Sequence, residues 1–239
     1  MFPLKDDNPA HIIPIVTWML IAVNVGCFLY QTSLEPADSR IFVYQFGAIP
    51  AVITGQQSLP RSITAVAPFL SIFTSMFLHG GWMHLIGNVW YLWIFGNNIE
   101  EAMGGLRYLL FYLICGFVAS LSQIVSNISS TLPTIGASGA IAGVLGAYII
   151  LYPRARVLTL IFLGFFVRLL YFPAGIILGF WFVYQLISGY TAGIQPGGGI
   201  AFWAHIGGFI TGLLLVGLFK KRDVRFFNPP RHRVEMYYD

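Results

Sequence analysis

The chain has 239 residues, 57% hydrophobic and 9% charged, with a mean hydropathy of +0.75 and a formal net charge of +4. Soluble domains carry roughly 25% charged residues, so no soluble core accommodates this much apolar surface, and a polytopic membrane protein is expected. The positive balance is not a nucleic-acid footprint, because the basic residues gather at the ends of apolar stretches and in the tail.

In chain order, residues 1–12 hold Lys5, Asp6 and Asp7 and read as a cytoplasmic N-terminal segment. No small-residue cleavage site follows the first apolar stretch, Ile13–Tyr30, so an uncleaved span is expected rather than a signal peptide. From Gln31 to Gly80 runs a long segment with Pro36, Pro50, Pro60 and Pro68, too apolar for a free linker and expected to lie partly in the membrane interface. Five further apolar segments follow, at Gly81–Asn97, Leu106–Val125, Ala137–Tyr152, Pro173–Gly189 and Phe202–Phe219. Pro14 and Pro173 are placed in first helical turns, where a missing N–H costs little, and Pro153 stops the fourth helix. Cys27 and Cys115 both fall inside apolar stretches and read as small core residues, not as a disulfide or metal pair.

Lys and Arg set the orientation. With six spans, one side holds Lys5, Arg107, Arg154, Arg156, Arg168, Lys220, Lys221, Arg222, Arg225, Arg231 and Arg233, whereas the other holds Arg40 and Arg61. Both termini are therefore expected in the cytoplasm, with 13–219 as the intramembrane domain and 220–239 as a basic tail. Residues 157–170 are apolar but short and contain Arg168; as a seventh span they would move the basic tail outside. An interfacial or folded-back segment is expected there.

Depth is the informative quantity. Counting from Arg154 to Ser138, from Lys220 to His205 and from Glu100 back to His84 gives roughly 24, 22 and 24 Å at 1.5 Å per helical residue. Asn88 lies one turn below His84 on the same face. A core about 30 Å thick puts these four polar groups from three helices in one layer beneath the outer surface. A serine between glycines at a helix start is usually only an N-cap, and a lone intramembrane Asn or His is often interhelical glue. Their shared depth favours a site. Small residues at Gly139, Gly143 and Ala147 of the fourth segment, and at Ala204, Gly208 and Gly212 of the sixth, permit close backbone approach in lipid. That approach would bring the Ser138 hydroxyl to the His205 ring, as an activated nucleophile requires. No Asp or Glu falls in that layer, so a Ser-His dyad is what the inventory permits. The Ser138 amide at a helix N-terminus, with His84 and Asn88, supplies donors for an oxyanion.

With Gly136-Ala-Ser138-Gly139 on the fourth segment, Ala204-His205-Ile206-Gly207-Gly208 on the sixth and His79-Gly-Gly-Trp-Met-His84-Leu-Ile-Gly-Asn88 entering the second, the sequence resembles the rhomboid intramembrane serine proteases. Gly96-Asn-Asn-Ile-Glu100-Glu-Ala-Met-Gly104 and Leu151-Tyr-Pro-Arg154-Ala-Arg156 extend the likeness over nearly the whole chain after the N-terminus. The resemblance implies an all-α polytopic membrane protein, a six-transmembrane-helix bundle with a long membrane-associated first loop, in a prokaryotic cell membrane. It implies cleavage of single-span membrane proteins in or near their spans, with the bilayer and transmembrane substrates as partners and neither cofactor nor metal. Ser138 would be nucleophile and His205 base and acid; His84, Asn88 and the Ser138 amide would bind the oxyanion; His79 would be structural. The loop Tyr190–Ala201 would cap the site and Pro173–Gly189 would be a lateral gate. Two departures stand out: Leu70-Ser71 occupies the place of a common Trp-Arg pair, and Ala142 replaces an aromatic ring four residues after the serine. The competing readings are a catalytically silent rhomboid-like adaptor for membrane helices and a metal site built from His79, His84 and His205.

Overall fold

A computed structural model describes residues 2–163, 166–192 and 200–228. The chain is mostly helical. Helix α1 (Ile15–Ser33) is followed by three short helices, α2 (Pro36–Phe46), α3 (Pro50–Ile53) and α4 (Ser71–Thr74), and a 3-10 turn at Ser75–Phe77. Long helices α5 (Trp82–Met103) and α6 (Gly105–Ser126) come next, then α7 (Ser138–Leu151), α8 (Ala174–Ala192) and α9 (Phe202–Phe219). By length and composition, α1, α6, α8 and α9 are long and apolar enough to cross a membrane; α7 is apolar but shorter. Each of the six apolar stretches read from the sequence overlaps one helix, α1, α5, α6, α7, α8 and α9 in turn.

The joints follow from local chemistry. Gly104, at φ +83°, ends α5 and starts α6 within one residue, a left-handed backbone that suits glycine. Glu100 satisfies the start of α1, accepting the Val16 N–H at 2.9 Å, the Thr17 N–H at 2.8 Å and the Thr17 hydroxyl at 2.7 Å. Those N–H groups have no partner inside their own helix. Pro153 lies just past the end of α7, where it cannot continue the helix. Pro173, expected in a helical first turn, instead closes a strand, and α8 begins at Ala174.

Helix α7 sits at the centre. Its residues from Gly139 to Tyr148 are all buried, as an all-apolar helix must be when other helices surround it. Its 14 residues span about 21 Å, less than the roughly 30 Å hydrocarbon thickness. Against it lies α9, backbone to backbone. A Cβ built on Gly208 would lie 1.9 Å from the Gly139 carbonyl oxygen, and one on Gly212 would lie 2.0 Å from that of Gly143. Gly146 also lies in this seam, facing the Phe209 carbonyl. Cys115 is a free, fully buried thiol packed on Gly143, and Cys27 is also free.

An all-α fold needs correction. Strands β1 (Phe2–Asp6), β2 (Arg156–Leu163) and β3 (Phe166–Pro173) form an antiparallel sheet in the order β1-β2-β3. Residues 157–170 therefore fold back, as a hairpin. Val157, Thr159, Ile161, Val167 and Tyr171 are strand formers, and Gly164 at the middle of the run is a hairpin signal that outweighs the helical alternative. The N-terminal segment is correspondingly ordered. Arg156 bonds Asp7 at 2.7 Å, the Trp90 indole donates to the Pro3 carbonyl at 2.6 Å, and the Asn98 amide donates to the Asn8 carbonyl at 2.7 Å.

The segment between α1 and α5 is anchored without a Trp-Arg pair. The Thr74 hydroxyl donates to the Phe46 carbonyl at 2.6 Å, Ala48 and Thr134 exchange backbone bonds, and the Gly136 N–H donates to the Ser75 carbonyl at 2.9 Å. Leu70 is exposed, while Ser71 is buried with its hydroxyl on the Pro68 carbonyl.

Candidate active site

Ser138 is the first residue of α7, and His205 lies in the first turn of α9. The glycine seam that joins the two helices holds these ends together. His205 Nε2 is 2.8 Å from Ser138 Oγ. The pair lines a cavity of about 850 Å³, and His84 and Asn88 of α5 line the same space. All four residues singled out from the sequence are thus brought to one cavity.

The donors are arranged to match. Gly80 N–H donates to His84 Nδ1 at 3.3 Å, which leaves Nε2 of a neutral ring as the protonated nitrogen. Gly136, at φ +123°, brings the backbone close to that ring: a Cβ there would lie 2.7 Å from His84 Nε2 and 3.7 Å from Ser138 Oγ. Only glycine fits both the backbone angle and the space. Asn88 is buried, and among the described residues its side-chain N–H₂ has no hydrogen-bond partner, a donor left open at the wall of the cavity. His79 is fully buried behind these groups, edge-on to His84 at 5.1 Å and to Phe28 at 6.3 Å. Its carbonyl accepts from Gln31 at 2.9 Å.

Two residues of the site escaped the sequence reading, both on α8. Trp181 lies against His205 with ring centroids 5.8 Å apart. Gln185, one turn further on and buried, has Oε1 2.8 Å from His205 Nδ1. The signal was present: a glutamine inside an apolar span, four residues after a tryptophan, is a costly polar group on the same helix face.

Both His205 nitrogens are engaged, and among the described residues no group of three His, Cys, Asp or Glu side chains is placed to hold a metal ion. The expected capping loop falls largely on residues 193–199, outside those described.

Residues 67–222 match the family model described as Rhomboid domain. The chain belongs to the rhomboid family. Rhomboid protease GluP of Bacillus subtilis is 36% identical over 217 residues, covering 87% of this chain and 37% of that protein. RHOMBOID-like protein 1 of Arabidopsis thaliana is 31% identical over 160 residues, 66% of this chain and 36% of that protein. Presenilin-associated rhomboid-like protein, mitochondrial, of Bos taurus is 29% identical over 187 residues, 73% of this chain and 45% of that protein. The chain spans less than half the length of each of these rhomboid relatives. Family and apolar helices together identify a membrane-embedded member of a protease family.

Proposed function

We propose that this rhomboid is an intramembrane serine endopeptidase that cleaves single-span membrane proteins within or near their spans through a Ser138–His205 dyad. The observation that carries the reading is the 2.8 Å contact between Ser138 Oγ and His205 Nε2 at the wall of a cavity.

The chemistry runs in two halves. As Ser138 Oγ bonds to the scissile carbonyl carbon, its proton passes to His205 Nε2. The carbonyl oxygen takes the negative charge and accepts from the Ser138 N–H, His84 Nε2–H and Asn88 Nδ2–H. The helix N-terminus at Ser138 favours that charge. His205 then gives its proton to the leaving nitrogen, the C–N bond breaks, and an acyl-enzyme remains. Water, deprotonated by His205, reverses the sequence and frees Ser138. Gln123, Ser126, Asn127 and Ser130 line the same cavity and make it polar enough to hold that water.

On this reading the six apolar segments form the membrane bundle, with the short α7 starting beneath the outer surface, and the helix α8 forms the lateral wall through which a substrate span enters. The Lys and Arg asymmetry supports both termini in the cytoplasm, and the likeness of residues 151–156 to a common prokaryotic form supports a prokaryotic cell membrane.

A fluorophosphonate probe and a liposome assay with a single-span substrate, the fragments read by mass spectrometry, test the reading. Labelling and cleavage are expected in the native protein and absent in Ser138→Ala and His205→Ala. Asn88→Ala and His84→Ala are expected to slow cleavage by about 10²–10³-fold each. Cleavage by the Ser138→Ala protein sinks the serine mechanism. A folded native protein that binds spans without labelling is instead the silent adaptor.

A further inference from the structure

We propose that Gln185 is a positioning residue that fixes the tautomer of His205, so that the dyad takes its correct protonation from α8. The inference rests on the dyad reading given above.

A neutral imidazole has one N–H and one lone pair, and only the tautomer with the lone pair on Nε2 can take the Ser138 proton. A free histidine side chain does not favour that tautomer. Selection comes from whatever sits at Nδ1. Here that is Gln185 Oε1, at 2.8 Å, on a side chain 4% exposed. An amide oxygen only accepts, so it holds the proton on Nδ1 and leaves the Nε2 lone pair facing Ser138 Oγ. The opposite amide orientation would present N–H₂ to Nδ1, force the proton onto Nε2 and leave Ser138 without a base.

No other group described around His205 does this work. Facing it are Ser138 from α7, Trp181 and Gln185 from α8 and His84 from α5. None carries a carboxylate. Trp181 is on the same face of α8 as Gln185 and packs on the ring, which limits its rotation. Ring and amide together set both orientation and tautomer. During the reaction Nδ1–H stays on Gln185 Oε1 while Nε2 gains and returns the Ser138 proton, so the amide neither gains nor loses a proton.

The test uses the full chain in liposomes with a single-span substrate, comparing Gln185→Met, which keeps the length and apolar packing, with Gln185→Glu, which presents only oxygen. Gln185→Met is expected to lower kcat about tenfold, the worth of one orienting hydrogen bond. KM should be little changed and fluorophosphonate labelling slowed in step. Gln185→Glu is expected to restore kcat at neutral pH and to move the acidic limb of the kcat/KM profile up by about one pH unit, because a carboxylate beside the ring favours its charged form. Native kcat in Gln185→Met overturns the proposal. So does a Gln185→Glu protein with the rate of Gln185→Met and the native pH profile, including where Gln185→Met melts at a lower temperature. Failure of the dyad reading itself looks different: the native protein does not label, or Ser138→Ala still cleaves.

Discussion

The seam between α7 and α9 and the contact of α8 with α9 hold the same imidazole by opposite means. In the seam, glycines put backbone against backbone, with Gly208 on the Gly139 carbonyl and Gly212 on that of Gly143. Helix α8 meets α9 through side chains instead: Phe182 stacks on Phe209 at 4.4 Å, Trp181 lies against His205, and Gln185 bonds its ring. Its other face, with Ile176, Phe180, Val183 and Ile187, is exposed to whatever surrounds the protein. The seam has no soft atoms to yield. The α8 contact rests on side chains alone, with Gln185 as its polar link to His205. One interface fixes where the His205 ring is, and the other supplies the partner of its Nδ1.

The sharpest way to break this contrast is to put a side chain into the seam. In Gly212→Val the first carbon would lie 2.0 Å from the Gly143 carbonyl oxygen and 2.8 Å from its Cα, with only backbone to move. Overpacking of this kind costs roughly 1–3 kcal/mol or more, and a displacement near 1 Å between reacting groups costs on the order of 10²-fold in rate. Both a lower melting temperature in detergent and loss of cleavage are expected. Native kinetics in that variant would mean the seam is not what sets the dyad distance.

A substitution on the α8 side should act more gently. Trp181→Leu removes the ring beside His205 but leaves the seam intact. Aromatic packing is worth about 0.5–1.5 kcal/mol beyond buried area, which corresponds to roughly a 2- to 10-fold slower cleavage. The melting temperature should fall less than in Gly212→Val. If Trp181→Leu proves as damaging as the seam variant, the two interfaces are not different in kind.

What could be read from the sequence follows the same division. Ser138, His205, His84 and Asn88 were legible because helical rise is constant: counting residues from charged ends fixes depth, and depth brought them together. The small residues of α7 and α9 were legible for a similar reason, since spacing by four puts them on one stripe. Gln185 and Trp181 were not found, because no charged landmark close to them on α8 drew attention to their depth. The sheet was missed where local propensity and period conflict. Residues 157–170 are apolar but too short for a span, and only β-branched content distinguishes the hairpin. Nothing in residues 2–6 by themselves announces a strand, because β1 depends on β2 as its partner, some 150 residues away.

That remote pairing carries the smallest expected effect, and one that α7 feels from its far end. Asp6 accepts from the Tyr148 hydroxyl, so β1 is tied to the inner part of the helix that begins at Ser138. Burial raises the Asp6 carboxyl from 3.8 to about 7; the Tyr148 bond opposes the rise and the charge of Asp7 adds to it. Between those values the folded chain holds a proton that the unfolded chain has released. Stability from this group is therefore complete below about pH 4 and declines as pH rises towards 7. Amide hydrogen exchange of residues 2–7, corrected for intrinsic rates, is expected to show protection falling across that interval, with cleavage chemistry unaffected at constant pH. Asp6→Asn keeps an acceptor for Tyr148 and cannot titrate, so its protection should stay flat. An identical decline in Asp6→Asn would place the titrating group elsewhere in the sheet and detach β1 from the pH response of the α7 anchor.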